Sequence, residues 1–255
     1  MNLIDTHCHP YFDELAKDEV GLIKRAKDVG VNKMIAVGVD LEGSRKAIEF
    51  ASKYPNVWAS AGVHPHDAAE FRTSDQKALA ELLNMLRVVA IGEIGLDYYR
   101  LNSPKQDQIS ALRKMIETGL QSGLPFIFHA RDAWADFWQT LDEYQGIRGV
   151  VHSFTGGPKQ LEQALSRGLT IALNGIVTFT KDQALLEVAR TVPLESLVLE
   201  TDAPFLTPAN DKGQVCEPKH VRQVAEFLAE IRNQNLDEIA DKTTKNAIAI
   251  FGLNG

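Results

Sequence analysis

Eight short runs rich in β-branched and apolar residues recur along the chain, at Leu3–Asp5, Lys33–Val39, Val57–Val63, Val88–Ile94, Pro125–His129, Gly149–Ser153, Leu169–Leu173 and Leu197–Thr201. Between them lie segments whose apolar residues return at helical spacing. Runs without polar alternation are strands covered on both faces, and such strands belong to a parallel sheet. Eight βα units in 255 residues predict an α/β fold, a closed (β/α)8 barrel with 1–255 as a single domain. The rival is an open doubly wound sheet, which usually carries a glycine-rich phosphate loop after its first strand. Here the first strand runs into DTHCHP instead.

Helix punctuation supports the alternation. Leu15, Val20, Ile23, Ala26 and Val29 form an apolar stripe that Gly30 closes. Pro104 opens a long helix that ends near Gly123, and Pro158 and Pro218 open two more. Asp132 is placed to cap the helix carrying Phe137 and Leu141.

The apolar runs, such as residues 34–39, are far shorter than the roughly 18–20 residues that cross a bilayer. The opening MNLIDTHCHP lacks the basic and apolar regions of a signal peptide. Two isolated cysteines, Cys8 and Cys216, build neither a disulfide framework nor a cysteine zinc site. These features predict a cytoplasmic protein, with no membrane association and no evident protein partner. A formal net charge of −7 argues against a protein that coats duplex DNA through many phosphate contacts. It leaves room for local phosphate binding, because a bound cation outweighs nearby carboxylates.

Most of the seven histidines stand where a strand run gives way to a loop. His7 and His9 follow the first run, His64 and His66 the third, His129 the fifth and His152 the sixth. Glu93 and Asp202 share that placement on the fourth and eighth runs. In a barrel these strand ends meet at one mouth, the active-site face. Alternation puts His7 and His9 on the same side, roughly 6.6 Å apart, and turns Cys8 the other way. Singly, each residue reads as well as a hydrogen-bonded strand end or a helix cap. Together, His7, His9, Glu93, His129, His152 and Asp202 would crowd polar and charged groups whose cost a metal centre removes. Imidazole and carboxylate without thiolate suit zinc, manganese, cobalt or iron, with magnesium possible when water and phosphate complete the shell. Six ligands exceed what one catalytic zinc takes but suit two ions sharing a carboxylate. Glu93, between the histidine groups in barrel order, is the natural bridge.

The blocks DTHCHP (5–10), AGVHPH (61–66), IGEIGLDYYR (91–100), FHARDA (128–133), HSFTG (152–156) and ETDAPFLTP (200–208) resemble the signature blocks of the TatD family. The terminal TTKNAIAIFG (243–252) is similar to that family's last helix. The family comprises metal-dependent hydrolases on an amidohydrolase-type barrel, generally described as deoxyribonucleases. The resemblance implies that His7, His9 and Asp202 bind one divalent ion, that His129 and His152 bind a second, and that Glu93 bridges them. The two ions would be Mg²⁺, Mn²⁺ or Zn²⁺. It also implies that Asp202 accepts the proton of the attacking water, so that Asp202 and Glu93 are the catalytic carboxylates. The fourth run lacks the lysine that bridges the metals in many other amidohydrolases. The loop DKGQVCEP (211–218) departs from the family's basic GKRNEP-like segment. Val215 and Cys216 replace an Arg-Asn pair there, leaving Lys212, Lys219 and His220 as candidate substitutes.

Substrate contacts are expected from His64, Arg131 and Thr155. Arg131 could instead pair with a carboxylate, and His66 could be a plain loop residue. Asp97 and Tyr98 are candidates to orient Glu93 or line the cleft. Trp134, Phe137 and Trp138 read mainly as packing, with Trp134 a possible base contact. The expected activity is two-metal phosphodiester hydrolysis on DNA ends or single strands. Alternatives are hydrolysis of another ester or amide, such as an aminoacyl-tRNA ester, and a non-catalytic metal-binding scaffold. A PHP-type phosphoesterase barrel is a structural rival that would carry more mid-chain ligands.

Overall fold

The computed structural model describes residues 1–253. Eight strands form one parallel sheet in sequence order: β1 (Leu3–Cys8), β2 (Val31–Val37), β3 (Val57–Ala61), β4 (Val88–Asp97), β5 (Phe126–Arg131), β6 (Gly149–Val151), β7 (Thr170–Leu173) and β8 (Leu197–Leu199). The helices are α1 (Asp13–Ala16), α2 (Glu19–Asp28), α3 (Leu41–Lys53), α4 (Asp75–Leu83), α5 (Lys105–Ser122), α6 (Trp134–Leu141), α7 (Pro158–Ser166), α8 (Gln183–Thr191), α9 (Val221–Arg232) and α10 (Leu236–Phe251). No helix of the described residues is long and apolar enough to cross a membrane.

The sheet closes where β1 meets the chain leaving β8. The Thr6 hydroxyl donates to the Leu199 carbonyl at 3.0 Å. The Asp202 N–H donates to the His7 carbonyl at 2.8 Å, and the His9 N–H to the Ala203 carbonyl at 2.7 Å. The Asp5 carboxylate accepts from the Thr201 N–H at 2.9 Å and the Thr201 hydroxyl at 2.6 Å. The predicted (β/α)8 barrel is the observed fold.

Two apolar layers hold it. Ile4, Ile35, Trp58, Ile127, Val150 and Val198 fill the barrel, and Phe251 and Leu253, at the end of α10, plug its base. A larger layer, including Leu22, Phe50, Leu112, Phe126 and Leu228, lies between strands and helices. Ile4 fills the barrel and His7 faces the mouth, although they stand an odd number of residues apart. A register irregularity between Asp5 and Cys8 absorbs the mismatch and turns His7 and His9 inward. Cys8 falls in the outer layer, as alternation predicts.

Three local expectations need correction. The stripe at 15–29 is two helices, because the Asp18 side chain accepts from the Gly21 N–H and restarts the helix. The new phase buries Leu22 and leaves Val20 74% exposed. Asp132 does not cap α6: it adopts a left-handed φ of 54° and Ala133 occupies the cap without a side-chain bond. Pro218 opens a short 3-10 turn, and α9 proper begins at Val221.

Candidate metal centre

The expected ligands come together at the C-terminal mouth of the barrel. His7, His9 and Asp202 form one group whose ligand atoms lie within 4.8 Å of one another, and His7, Glu93 and His152 form a second. A third, His64, Glu93 and His129, overlaps the second through Glu93.

The two oxygens of Glu93 meet different histidines. Oε2 faces His7 Nε2 at 3.3 Å. Oε1 meets His129 Nδ1 at 2.8 Å and His152 Nε2 at 3.0 Å. Asp202 Oδ1 stands 3.6 Å from His7 Nε2 and 3.4 Å from His9 Nε2. Its φ of 61° is a left-handed conformation that costs a non-glycine residue about 1–3 kcal/mol. The bonds of its N–H to His7 and of its carbonyl to the Phe205 N–H hold it there.

Hydrogen bonds on the far side of each ring fix what the near side offers. His9 Nδ1–H donates to the Val37 carbonyl at 2.8 Å, which leaves the Nε2 lone pair aimed at Asp202. His152 Nδ1–H donates to Glu200 Oε1 at 3.1 Å, so its Nε2 lone pair faces a Glu93 oxygen. A lone pair against a carboxylate oxygen is repulsive unless a cation stands between them. Both ring nitrogens of His7 are buried without a hydrogen-bond partner, and the ring stacks on His152 at 3.7 Å. This donor set fits divalent ions.

His64 is different. Its Nδ1 accepts from the His66 N–H at 3.1 Å, so the neutral ring carries its proton on Nε2, 3.5 Å from Glu93 Oε1. That makes His64 a hydrogen-bond donor at the site and removes it from the ligands.

Burial and charge set the protonation states. Burial holds His7 below the usual imidazole range and pushes His64 down to about 3. Burial alone would raise Glu93, but the imidazoles packed around it, including the hydrogen-bonded His129, hold it well below the usual carboxylate range. Against burial, hydrogen bonds to the Asp97 and Glu93 carboxylates raise His129.

The remaining expectations divide. Arg131 lines the cavity, and its guanidinium lies 4.5 Å over the Tyr99 ring. Among the described residues it forms no ion pair. Asp97 Oδ2 receives His129 Nε2 at 3.1 Å and His66 Nε2 at 3.2 Å, which makes His66 part of the site's frame. Tyr98 turns away to Asp136 at 2.6 Å. Thr155 does not line the cavity; Ser153 does. Trp134 packs on Phe137, Trp138 and Phe154, away from the cavity lining. Lys212, Lys219 and His220 also stay off the lining: Lys219 is 3.8 Å from Glu217, and His220 is buried.

Sequence reasoning missed Glu200, Arg100 and Asp5. Buried Glu200 Oε1 accepts from His152, the Ser153 N–H at 2.6 Å and Asn174 at 3.2 Å. Arg100 adds a second exposed cation to the lining. Burial pushes Asp5 up to about 8, and its bonds to Thr201 tie β1 to the chain leaving β8. Each sits inside a quoted block, but only three-dimensional contacts separate its role from that of its neighbours.

The profile described as TatD related DNase matches residues 4–252. An uncharacterized metal-dependent hydrolase of Bacillus subtilis, YabD, is 36% identical over 99% of this chain and all of that protein. The 3'-5' ssDNA/RNA exonuclease TatD of Citrobacter rodentium is 34% identical over 94% of each chain. The crystal structure of YjjV, a TatD homologue from Escherichia coli, superposes with a TM-score of 0.92 at 30% identity, covering 98% of both chains.

Proposed function

Because the chain belongs to the TatD family of metal-dependent hydrolases, we propose that it is a two-metal exonuclease acting on the 3′ ends of single-stranded DNA. The observation that carries this reading is Glu93, whose Oε2 faces His7 while its Oε1 faces His129 and His152. His7, His9 and Asp202 would hold one ion, His129 and His152 the other, with Glu93 between them. Bound divalent ions supply Lewis acidity toward a phosphoryl oxygen and a water nucleophile active at neutral pH.

The chain's own groups do the rest. Asp202, the most solvent-open of the carboxylates around His7, takes the proton of the attacking water at a carboxylate oxygen. The Nε2–H of His64 and the guanidiniums of Arg131 and Arg100, which line the same cavity as Asp202, hold the substrate phosphate. Stacking on Tyr99 holds the Arg131 plane and leaves its N–H edges free. With local cations handling the phosphate, a net charge of −7 is compatible with a nucleic-acid substrate. The exonuclease names of the Citrobacter relative and its kin support the 3′-end polarity. Two buried free thiols, Cys8 and Cys216, suit a reducing cytoplasm.

The test is a 5′-labelled oligonucleotide incubated with chelated protein, then with Mg²⁺, Mn²⁺ or Zn²⁺ restored. Stepwise shortening that appears only with metal supports the reading. Cleavage that persists in chelator, or no cleavage with any of the three ions, overturns it.

A further inference from the structure

Several of the molecule's exposed aromatic and aliphatic side chains stand on the loops that ring the metal centre. Tyr99 and Leu101 follow β4, Phe179 follows β7 and Phe205 follows β8, and each is about half exposed or more. A half-exposed phenylalanine forgoes hydrophobic stabilisation unless something covers it in use. Phe205 is tethered beside a candidate ligand, its N–H donating to the Asp202 carbonyl at 2.9 Å.

Phe205 does not stand alone. The His9 ring stacks on Phe12 with centroids 4.9 Å apart and planes at 19°. Phe205 meets both rings at steep angles, with centroids 6.1 Å from Phe12 and 6.3 Å from His9. Neither ring covers a face of Phe205 by stacking, and half of its surface stays open. The Tyr99–Arg131 pair lines the same cavity, of about 540 Å³.

We propose that Phe205, braced by Phe12 and His9, is the stacking platform for the base beside the scissile phosphate. This rests on the exonuclease reading and specifies its substrate. An unpaired base is a flat apolar object joined to a phosphate, which matches an aromatic ring set beside a cationic metal-binding cavity. In a duplex, neighbouring pairs cover every base face except the outer face of the terminal pair, so a frayed or single-stranded end meets the platform most readily. No asparagine or glutamine amide lines the cavity among the described residues. Recognition by stacking without such amides tolerates any base, so the selection is for strandedness and not for sequence.

The experiment compares KM for two 5′-labelled single strands, one complete and one with an abasic residue at its 3′ end. It uses the metal-loaded wild type, Phe205→Ala and Phe205→Trp, each checked for bound metal and melting temperature. Loss of the terminal base should raise the wild-type KM roughly tenfold, the usual scale of one base–aromatic stack. Phe205→Ala should raise KM for the complete strand by a similar factor and no longer distinguish the two strands. Phe205→Trp should restore the distinction. A Phe205→Ala protein that still discriminates as well as wild type overturns the platform while leaving the exonuclease reading intact. A wild type that cleaves neither strand with any metal overturns the exonuclease reading, and the platform with it.

Discussion

Two residues at the mouth make opposite demands on an experiment. Arg131 touches no ligand of the proposed centre; its guanidinium rests on Tyr99 and opens to the cavity. Arg131→Ala should therefore keep its full metal content while losing about 2–4 kcal/mol of transition-state stabilisation, the scale of a lost charge-assisted donor. Arg131→Lys should recover only part, because a point charge replaces a planar fork. Kinetics and elemental analysis on one preparation check this, and unchanged kinetics with a lower melting temperature would mark the residue as structural. Glu200 makes the converse demand. Its Oε1 gathers bonds from His152, Ser153 and Asn174. Glu200→Ala frees the His152 ring and should weaken divalent-ion affinity by roughly 10–100-fold in calorimetric titration, with the folded spectrum retained. The candidate ligands were legible in the sequence because each stands at or near the end of an apolar run. Glu200 was not, because its partner His152 is 48 residues away and the neighbouring Asp202 carries the same charge.

At the scale of elements, strands hold the ligands in register, and glycines set how closely those strands approach. Gly95 on β4 pairs with His129 on β5, adopts a φ of +152°, and would press any Cβ into the His129 backbone. Gly95→Ala should cost about 1–3 kcal/mol through overpacking and also weaken metal binding, because it moves His129 away from Glu93. Gly123, which closes α5 with a φ of +68° and nothing nearby, gives the contrast. Gly123→Ala should cost roughly 1–2 kcal/mol for the left-handed backbone and leave metal affinity unchanged. Melting curves paired with metal titrations separate the two cases. Periodicity located these elements well and their exact faces less well. Around α2, the cap at Asp18 resets the helical phase, which a single stripe over 15–29 cannot register. In β1, the irregularity after Asp5 reverses the alternation that runs from Ile4.

For the whole molecule, the centre depends on closing the barrel. The seam between β1 and the end of β8 carries His7 and His9 on one side and Asp202 on the other, joined by backbone bonds of 2.7 and 2.8 Å. At the opposite end, Phe251 and Leu253 seal the base with apolar contacts. The barrel was legible because eight repeats leave few alternatives. The seam was not, because it joins residues nearly 200 positions apart through backbone atoms that no side-chain pattern encodes. All of these elements converge on Glu93, whose Oε2 faces His7 and whose Oε1 faces His129 and His152. The most direct measurement is the number of divalent ions bound per chain, by elemental analysis after saturation with Mn²⁺ and removal of excess, in the wild type and in Glu93→Ala. The proposed centre predicts two ions in the wild type and, in a folded Glu93→Ala protein, loss of both or a severe fall in the affinity of each. A Glu93→Ala protein that still holds two ions at wild-type affinity would contradict it.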